Sequence, residues 1–225
     1  DDWLDINTLR PTNCVNDPAY MGNYTDECSS PSQLIASTFA DELKVSSRNK
    51  SLVFSIAPYR DAAIFGAGHS GNGAFWINEN TGKWCGTTYY SEFPWWINEY
   101  NDKKSLDFRI RDIEWTPILP FTSYKFLQEW RDQSFKYKFD SERQNKFRRL
   151  IASPFANDEI NLLTEELLDK STIGKDDTVD LLALTYYAGN YNHKSVQECA
   201  IEMQDTYVRL DRSIATLLDL IDRKI

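Results

Sequence analysis

The sequence predicts an α/β fold, in which a sheet is flanked by helices. Two short apolar runs carry this prediction: Leu52–Ala57, which Pro58 stops, and Val179–Thr185, which follows the turn-forming Lys175-Asp176-Asp177. Each run is long enough for a buried strand and too short for a typical core helix. Helical patterns precede the first run and follow the second, and this alternation is typical of an α/β layer. We expect Val179–Thr185 to be a central strand.

The first part of the chain leads into a predicted helix. Asp1–Cys28 contains prolines, a glycine and many Asn and Asp residues, so we expect irregular structure there. Ser30-Pro31-Ser32-Gln33 has the residues of a helix start, with Ser at the cap and Pro at the first helical position. The helical stripe that follows ends near Ser46-Ser47. Its members are Leu34, Ile35, Phe39, Leu43 and Val45.

A small, glycine-rich stretch and a hairpin come next. Asp61–His69 predicts a close backbone crossing or a turn beside the sheet. It lacks both the Lys-Ser/Thr of a phosphate loop and the full dinucleotide-binding spacing, so neither site is predicted. Ala74–Asn78 and Lys83–Thr87 flank Glu79-Asn80-Thr81-Gly82, a pattern that predicts a β-hairpin. Pro94 is expected to begin a short helix.

Composition divides the chain into three parts. Residues 1–105 are expected to form the first part of the α/β core with its hairpin, and residues 159–225 a return to that core. Residues 106–158 form an aromatic-rich insertion or cap. Its aromatic residues include Trp115, Phe121, Tyr124, Phe126, Trp130, Phe135, Tyr137, Phe139 and Phe147. Two interpretations stay open: a cap that turns these rings toward a ligand, or an insertion that the rings stabilise.

Two amphipathic helices are predicted in the last part. Ile160–Leu168 places its leucines on one side, and Val196–Ile225 has the strongest helical pattern of the chain. Its apolar stripe consists of Met203, Tyr207, Leu210, Ile214, Leu217 and Ile221. Charged residues such as Asp205 and Arg209 fall off that stripe. The pattern therefore favours packing against the sheet over a coiled coil with a partner.

Charge and cysteine content limit the function classes. The net charge of −9 argues against a nucleic-acid surface, and the basic stretch Arg143–Arg149 is typical of a solvated helix face. No apolar stretch approaches the roughly 20 residues that span a bilayer. The chain opens without Met or a signal-like region, so we expect it to begin in mid-protein or after processing. Two alternatives stay open for the four cysteines, Cys14, Cys28, Cys85 and Cys199. Either Cys14 and Cys28 form a disulfide bridge, or all four are reduced thiols.

Polar side chains follow the strand Val179–Thr185 at once, at Asn190, Asn192 and His193. In open α/β sheets, ligands bind in the crevice beyond the carboxyl ends of strands, so we expect the functional edge there. A structural role for His193 stays open. The chain has only two histidines, the other being His69. Because a catalytic zinc site takes about three protein ligands, a metal centre must recruit residues outside this chain.

An ordered set of motifs resembles the alkaline phosphatase superfamily, in its branch of single-chain phosphatases and type I phosphodiesterase/nucleotide pyrophosphatases. In the family's order, these motifs are Asp1-Asp2-Trp3, Ser30-Pro31 with Asp41-Glu42-Leu43, Ser55-Ile56-Ala57 with Gly68-His69, Ala74-Phe75-Trp76 with Thr87-Thr88-Tyr89-Tyr90, and Asp180-Leu181-Leu182-Ala183 with His193 and Asp205–Asp211. They extend over much of the chain. The resemblance implies an internal fragment of that family's sheet, flanked by helices, with altered site motifs.

The resemblance also implies phosphoryl transfer, in which a Thr or Ser attacks phosphorus while two zinc ions stabilise charge. The family's Asp-Tyr-x-Gly-His motif gives an Asp and a His to one metal. It falls on Asn190-Tyr191-Asn192-His193, one residue shorter, so His193 and Asn190 are the candidate metal ligands. The family's Lys-Asp-Arg substrate clamp falls on Tyr59-Arg60-Asp61. Arg60 is a candidate substrate-binding residue, and so is Asp1, which replaces an Asn and would repel phosphate.

Two hypotheses follow. In the first, the chain is part of an exported, periplasmic or otherwise secreted, zinc-dependent relative of the phosphoric-ester hydrolases. Its substrate is a small-molecule phosphate ester, and its Thr or Ser nucleophile lies outside this chain. In the second, the protein is a catalytically degenerate member that binds a phosphorylated or glycan ligand. Asn190 and Tyr59-Arg60-Asp61 motivate the second hypothesis.

Overall fold

The structure, a computed structural model, describes residues 3–90, 92–125, 134–140, 145–191 and 194–225. Its strands are β1 (Trp3–Leu4), β2 (Pro11–Thr12), β3 (Gly22–Asn23), β4 (Val53–Ile56), β5 (Gly73–Ile77), β6 (Trp84–Thr87), β7 (Glu114–Trp115), β8 (Tyr137–Lys138) and β9 (Leu181–Leu184). Its α-helices are α1 (Phe39–Ser46), α2 (Arg60–Ala67), α3 (Trp95–Lys103), α4 (Leu106–Arg109), α5 (Lys146–Ile151), α6 (Phe155–Lys170) and α7 (Ala200–Lys224). Two 3-10 turns cover Ile110–Asp112 and Phe121–Ser123.

The main sheet has five strands in the order β3-β6-β5-β4-β9. β4 runs parallel to β5 and to β9, whereas β5 and β6 form the predicted antiparallel hairpin. Both apolar runs are therefore strands, as expected. The expectation that the second is central is wrong for the described residues: β9 is the outer strand of this sheet, and its four residues are only half-buried.

The first helix begins later than its sequence suggests. α1 starts at Phe39, where Thr38 caps the helix and forms a capping box with Asp41. The expected start near Ser30 is wrong because the serine hydroxyls have another partner. Ser30 Oγ donates to Asp17 Oδ2 at 2.6 Å, and Ser32 Oγ donates to the same oxygen at 2.9 Å. These bonds connect the segment to the preceding loop. The predicted end near Ser46 is confirmed.

The small-residue stretch 61–69 is the second correction. It forms most of helix α2 rather than a turn, but the close backbone crossing that it suggested is present. A Cβ on Gly66 would collide with Ser55 Oγ of β4 and would lie 3.3 Å from Ala183 Cβ of β9. Glycine therefore lets the helix pack directly onto these two strands.

The core beneath the sheet joins the strands to α3 and α6. Its fully buried members include Ile56, Phe75, Trp84, Ile97 and Leu163. α3 begins after Pro94, as predicted, and its buried Asn101 fastens it to β6. Asn101 Oδ1 accepts from the Trp84 amide at 2.8 Å, and its Nδ2 donates to the Trp84 carbonyl at 2.9 Å.

The last helix, α7, is present as predicted, but its buried face only partly coincides with the predicted stripe. Leu217 of the expected stripe is buried, but Tyr207 and Ile214 are 55% and 40% exposed, and Leu220, outside the stripe, is buried. Asp205, expected on the solvent side, is fully buried. Residues 106–158, called the aromatic segment from here on, supply hydrogen-bond donors to both oxygens of Asp205. A buried carboxylate with such donors is stable.

All four cysteines are free thiols. The bridge between Cys14 and Cys28 is disfavoured by strand register, since Asn16 pairs with Ser29 and the Asp17 amide donates to the Cys28 carbonyl. Asp17, and not Cys14, therefore lies opposite Cys28. Within the described ranges, no helix has the length and apolar character needed to cross a membrane.

Candidate functional site

The candidate site lies where β4 and β9 end. The two parallel strands are paired, and Ile56 is opposite Leu184 at the last position. The chain leaves this edge as residues 57–61 after β4 and as residues 185–191 after β9. Because the carboxyl ends of both strands meet here, the two segments lie at the same edge of the sheet, which is where ligands bind in open α/β sheets.

Helix α6 holds the first half of the loop after β9. Asn157, which is fully buried, accepts from the Tyr187 amide at 2.6 Å and donates to the Tyr187 carbonyl at 2.9 Å. The hydroxyl of Tyr186 donates to Asn161 Oδ1 at 2.5 Å. Burial raises the pKa of Tyr186 to about 12, so its phenol is neutral at ordinary pH.

The aromatic segment holds the end of the same loop through Tyr191. This ring is 2% exposed, and it packs edge-on against Trp115 at 5.0 Å and at a tilt of 43° against Tyr137 at 4.7 Å, both measured between ring centroids. Its hydroxyl accepts from Arg149 Nη2 at 3.0 Å. Asn190 therefore lies between the part of the loop that Asn157 fixes and the buried ring of Tyr191. Its own side chain is half-buried.

Arg60 is the first residue of α2, in the segment that follows β4. Its Nη1 donates to Ser29 Oγ at 3.1 Å and lies 3.5 Å from Glu27 Oε1, and the side chain is 12% exposed. The positive charge proposed for phosphate binding is thus partly balanced by a carboxylate of the N-terminal segment.

Asp61 follows Arg60 in the first turn of α2. Its Oδ1 accepts from the Ala62 amide at 2.9 Å. A carboxylate at this position favours the helix because it faces the free amides and the positive end of the helix dipole. It also adds negative charge at the edge where the family clamp places an arginine, which disfavours an anionic ligand.

Two of the candidate residues, Asp1 and His193, lie outside the described residues. The other histidine, His69, belongs to the opposite end of α2. Its Nδ1 lies 3.0 Å from Asp41 Oδ2, and its Nε2 lies 3.0 Å from the Leu34 carbonyl oxygen. The hydrogen bond to Asp41 raises the pKa of His69. Burial raises the pKa of Asp41, but the bonds from His69 and its neighbours outweigh this and lower it to about 2.

A family model settles what the motifs suggested. The model of type I phosphodiesterase / nucleotide pyrophosphatase matches residues 33–225, which is most of the chain. The chain belongs to this family. The resemblance to the alkaline phosphatase superfamily is thereby confirmed.

Two curated alkaline phosphatases match all or nearly all of this chain. It is 28% identical over 241 residues to alkaline phosphatase PafA of Elizabethkingia meningoseptica, and 24% identical over 238 residues to alkaline phosphatase PhoV of Synechococcus elongatus. These alignments include 100% and 99% of the chain but 44% and 43% of the relatives. The chain therefore spans less than half the length of the relatives that it matches.

Solved structures confirm the fold. The crystal structure of wild-type PafA superimposes with a TM-score of 0.81 at 27% identity, over 100% of this chain and 46% of that one. A PafA variant with substitutions of a threonine, an asparagine, a lysine and an arginine gives a TM-score of 0.83 over 99% of this chain. The alkaline-phosphatase-like sheet flanked by helices is thus the correct fold class.

Metal ligands of this family are not assembled by the described residues alone. Among them, no group of three or more His, Cys, Asp or Glu side chains lies close enough together to hold a metal ion. Asn190 offers a neutral amide, which is a weaker zinc ligand than imidazole or carboxylate. The described part of the chain therefore does not make a zinc site on its own.

The residues that hold the site in place were missed by sequence reasoning. Asn157 contacts a loop 30 positions away in the chain, and Trp115 contacts Tyr191 across an even longer separation. No local pattern marks such contacts. The one available indication was composition, since the aromatic richness of residues 106–158 implied a packed cluster without saying what it holds.

Proposed function

We propose that the intact protein is a phosphoric-ester hydrolase, a phosphomonoesterase or a phosphodiesterase/nucleotide pyrophosphatase, to whose α/β domain this chain contributes. The observation that carries the proposal is the family match over residues 33–225, together with the fold that the chain shares with PafA. The Thr or Ser nucleophile lies outside this chain. Export, to a periplasm or beyond, is part of the same proposal.

The residues of this chain supply the walls of the site. Asn157 fixes the backbone at Tyr187, and the aromatic segment fixes Tyr191, so the loop after β9 is presented in one conformation. At the end of β4, Arg60 is the candidate cation for a phosphoryl oxygen, and Glu27 and Ser29 orient it. Preorganised groups of this kind stabilise charge that develops in the transition state.

Zinc is the cofactor proposed for the intact protein, with most of its ligands supplied from outside this chain. It would supply Lewis-acid stabilisation of the phosphoryl oxygens. This chain contributes the loop after β9, which Asn157 and Trp115 hold, and the side chain of Arg60.

A second candidate function is binding without hydrolysis. The specific observation in its favour is the state of the clamp position, where Tyr59 replaces a lysine, Asp61 replaces an arginine and the charge of Arg60 is shared with Glu27. Such an edge attracts a phosphate dianion only weakly, because a like charge nearby disfavours an anion.

Hydrolysis of nitrophenyl esters tests the proposal. The intact protein, supplied with zinc, is assayed with p-nitrophenyl phosphate and bis-p-nitrophenyl phosphate. Release of nitrophenol from either ester supports the hydrolase, and its loss on chelation supports the metal requirement. Binding of inorganic phosphate by calorimetry without any release favours the second candidate, and neither release nor binding contradicts both.

A pair of variants tests the role of Arg60. Glu27→Gln removes the competing carboxylate, so it should strengthen phosphate binding several-fold, whereas Arg60→Gln should weaken it by about tenfold, the loss of one charge-assisted hydrogen bond. Arg111→Gln, at an exposed position in a 3-10 turn, is the matched control. Equal affinity for all three variants would show that Arg60 does not face the ligand.

A further inference from the structure

Strand β9 ends the main sheet, and within the described residues no strand pairs with its outer side. On the inner side, the amides of Leu181 and Thr185 donate to the carbonyls of Leu52 and Ile56 at 2.8 and 3.0 Å. Because successive amides of a strand point to opposite sides, those of Leu182 and Leu184 point outward. Two backbone donors of β9 therefore face a side that no described strand occupies.

The composition and packing of β9 are those of an interior strand. Leu182 and Leu184 pack against the core beneath the sheet. On the opposite face, a Cβ on Gly66 of α2 would lie 3.3 Å from Ala183 Cβ. All five residues of β5 are buried, whereas the four of β9, Leu-Leu-Ala-Leu, are only half-buried although both faces are covered. An apolar edge strand without a charge or a proline is well suited to accept another strand.

Helix α7 follows β9 along its whole length. Near the start of α7, Ile201 packs in the same cluster as Tyr191, beyond the carboxyl end of β9. At its other end, Ile225 lies against Gly174, which precedes β9. Since α6 contacts α3, α7 and β4, the helix of this layer that lies beside the outer side of β9 is α7.

One side of α7 carries an exposed apolar stripe, which consists of Tyr207, Ile214, Leu218 and Ile225. Each of these side chains is at least 40% exposed. Their spacings of seven, four and seven residues place them along one side of the helix. The stripe adjoins Ile221, which packs against the same core as the leucines of β9. The stripe and the outer side of β9 therefore border the same space.

This space fits one more buried β-strand. The backbone of such a strand accepts from the outward amides of β9, and its side chains cover the stripe of α7. Strands with helices on both faces are typically parallel to their neighbours, as β4 and β9 are. A parallel strand places its carboxyl end beside residues 185–191.

The relatives have enough additional chain to supply this strand. The alignments with PafA and PhoV include only 44% and 43% of those proteins. A second copy of this chain fits less well, because two-fold symmetry makes its β9 antiparallel to the first. Parallel pairing therefore favours a strand of the same polypeptide.

We infer that the outer side of β9 and the exposed stripe of α7 form a docking surface for a parallel β-strand from the part of the intact protein outside residues 1–225. The carboxyl end of this strand brings a third segment of chain to the edge where β4 and β9 end. The inference does not depend on hydrolysis, and its test uses no ester.

Hydrogen–deuterium exchange of the intact protein, resolved to single amides of β9, tests the docked strand. Leu181 and Ala183 point toward β4 and serve as the internal reference. We expect the outward amides of Leu182 and Leu184 to exchange within about tenfold of this reference, because both sides of the strand are hydrogen-bonded. Outward amides that exchange about 100-fold or more faster than the reference would overturn the inference, since the outer side of β9 would then be open.

A pair of α7 variants tests whether the stripe covers the docked strand. Ile214→Asp places a charge in the stripe, so it should speed exchange of the Leu182 and Leu184 amides by about tenfold or more. Ala215→Asp, at the exposed neighbouring position, is the matched control and should leave them unchanged. Equal exchange in the two variants would overturn the role of the stripe. If Ile214→Asp fails to fold, the exchange pattern of the natural protein still decides.

Dilution identifies the source of the strand. Exchange of the natural protein is measured over an about 100-fold range of protein concentration. Protection of Leu182 and Leu184 that does not change with concentration supports a strand of the same polypeptide. Protection that is lost on dilution shows a second copy and overturns the inference. Neither outcome depends on whether the intact protein hydrolyses an ester, so the inference and the proposed function can fail separately.

Discussion

Among the residues that join the aromatic segment to α7, Asp205 should be the one whose substitution lowers the stability of the protein most. Its Oδ1 accepts from the Ile118 amide and the Tyr124 hydroxyl, both at 2.7 Å. Its Oδ2 accepts from Trp115 Nε1 at 2.6 Å and from Arg209 Nε at 2.7 Å. Asp205→Asn replaces one acceptor oxygen with a donor, so two of these four donors then face an NH2 group.

The contacts of Asp205 give the expected size of the loss in the free energy of unfolding. Each buried donor left unsatisfied costs about 1–3 kcal/mol, and the separation of a buried ion pair about 3–5 kcal/mol. Arg209 keeps some contact with water, since its side chain is 22% exposed, so the lower part of the range applies. We expect Asp205→Asn to lower the free energy of unfolding by about 3 kcal/mol.

Urea unfolding of the intact protein, followed by tryptophan fluorescence, measures this change. Asp211→Asn is the matched control, because Asp211 is exposed on the same helix and should change the free energy of unfolding by less than about 0.5 kcal/mol. A loss below about 1 kcal/mol in Asp205→Asn would refute the reasoning, since the four bonds would then not be formed together.

The other predictions concern the junction between α1 and α2. Gly68 has φ +64° and ψ −159°, and a Cβ there would collide with the Thr38 hydroxyl and lie 2.9 Å from Asp41 Oδ2. Gly68→Ala should therefore lower the free energy of unfolding in urea by about 3 kcal/mol or more. A change within about 1 kcal/mol would contradict this. The imidazole of His69 faces two acceptors, Asp41 and the Leu34 carbonyl, and its pKa is raised, so its stabilisation is complete below pH ~6.5 and is lost as pH rises through the raised value. The contribution of Asp41, whose pKa is lowered to about 2, is lost only as pH falls from ~4 toward that value. Unfolding at pH ~5.5 and ~8.5 should show a loss of stability at the higher pH that His69→Gln reduces, and an equal loss in the variant would exclude His69 as the cause.

Elements that depend on local sequence were predictable. Leu52–Ala57 and Val179–Thr185 gave β4 and β9 because short apolar runs between turn residues suit buried strands. The hairpin of β5 and β6, the start of α3 after Pro94 and the length of α7 follow from the same kind of local pattern. The family resemblance joined them into one fold, and the PafA structure confirms it.

Features that depend on distant contacts were not predictable. Ser30 looks like a helix cap, but its hydroxyl bonds to Asp17, thirteen positions earlier. Asp205 looks like a surface charge on α7, and only the donors of the aromatic segment make its burial stable. For the site, the sequence located the edge after β9 but not Asn157, which holds the loop there.

Hydrogen–deuterium exchange of the intact protein with and without a phosphate ester tests the central claim most directly, namely that the ligand binds where β4 and β9 end. With p-nitrophenyl phosphate or AMP present, we expect slower exchange in residues 57–61 and 185–190. The open groove between α6 and α7, lined by Leu162, Arg212 and Thr216, should be unchanged. Slower exchange confined to that groove, with residues 57–61 and 185–190 unaffected, would contradict the account.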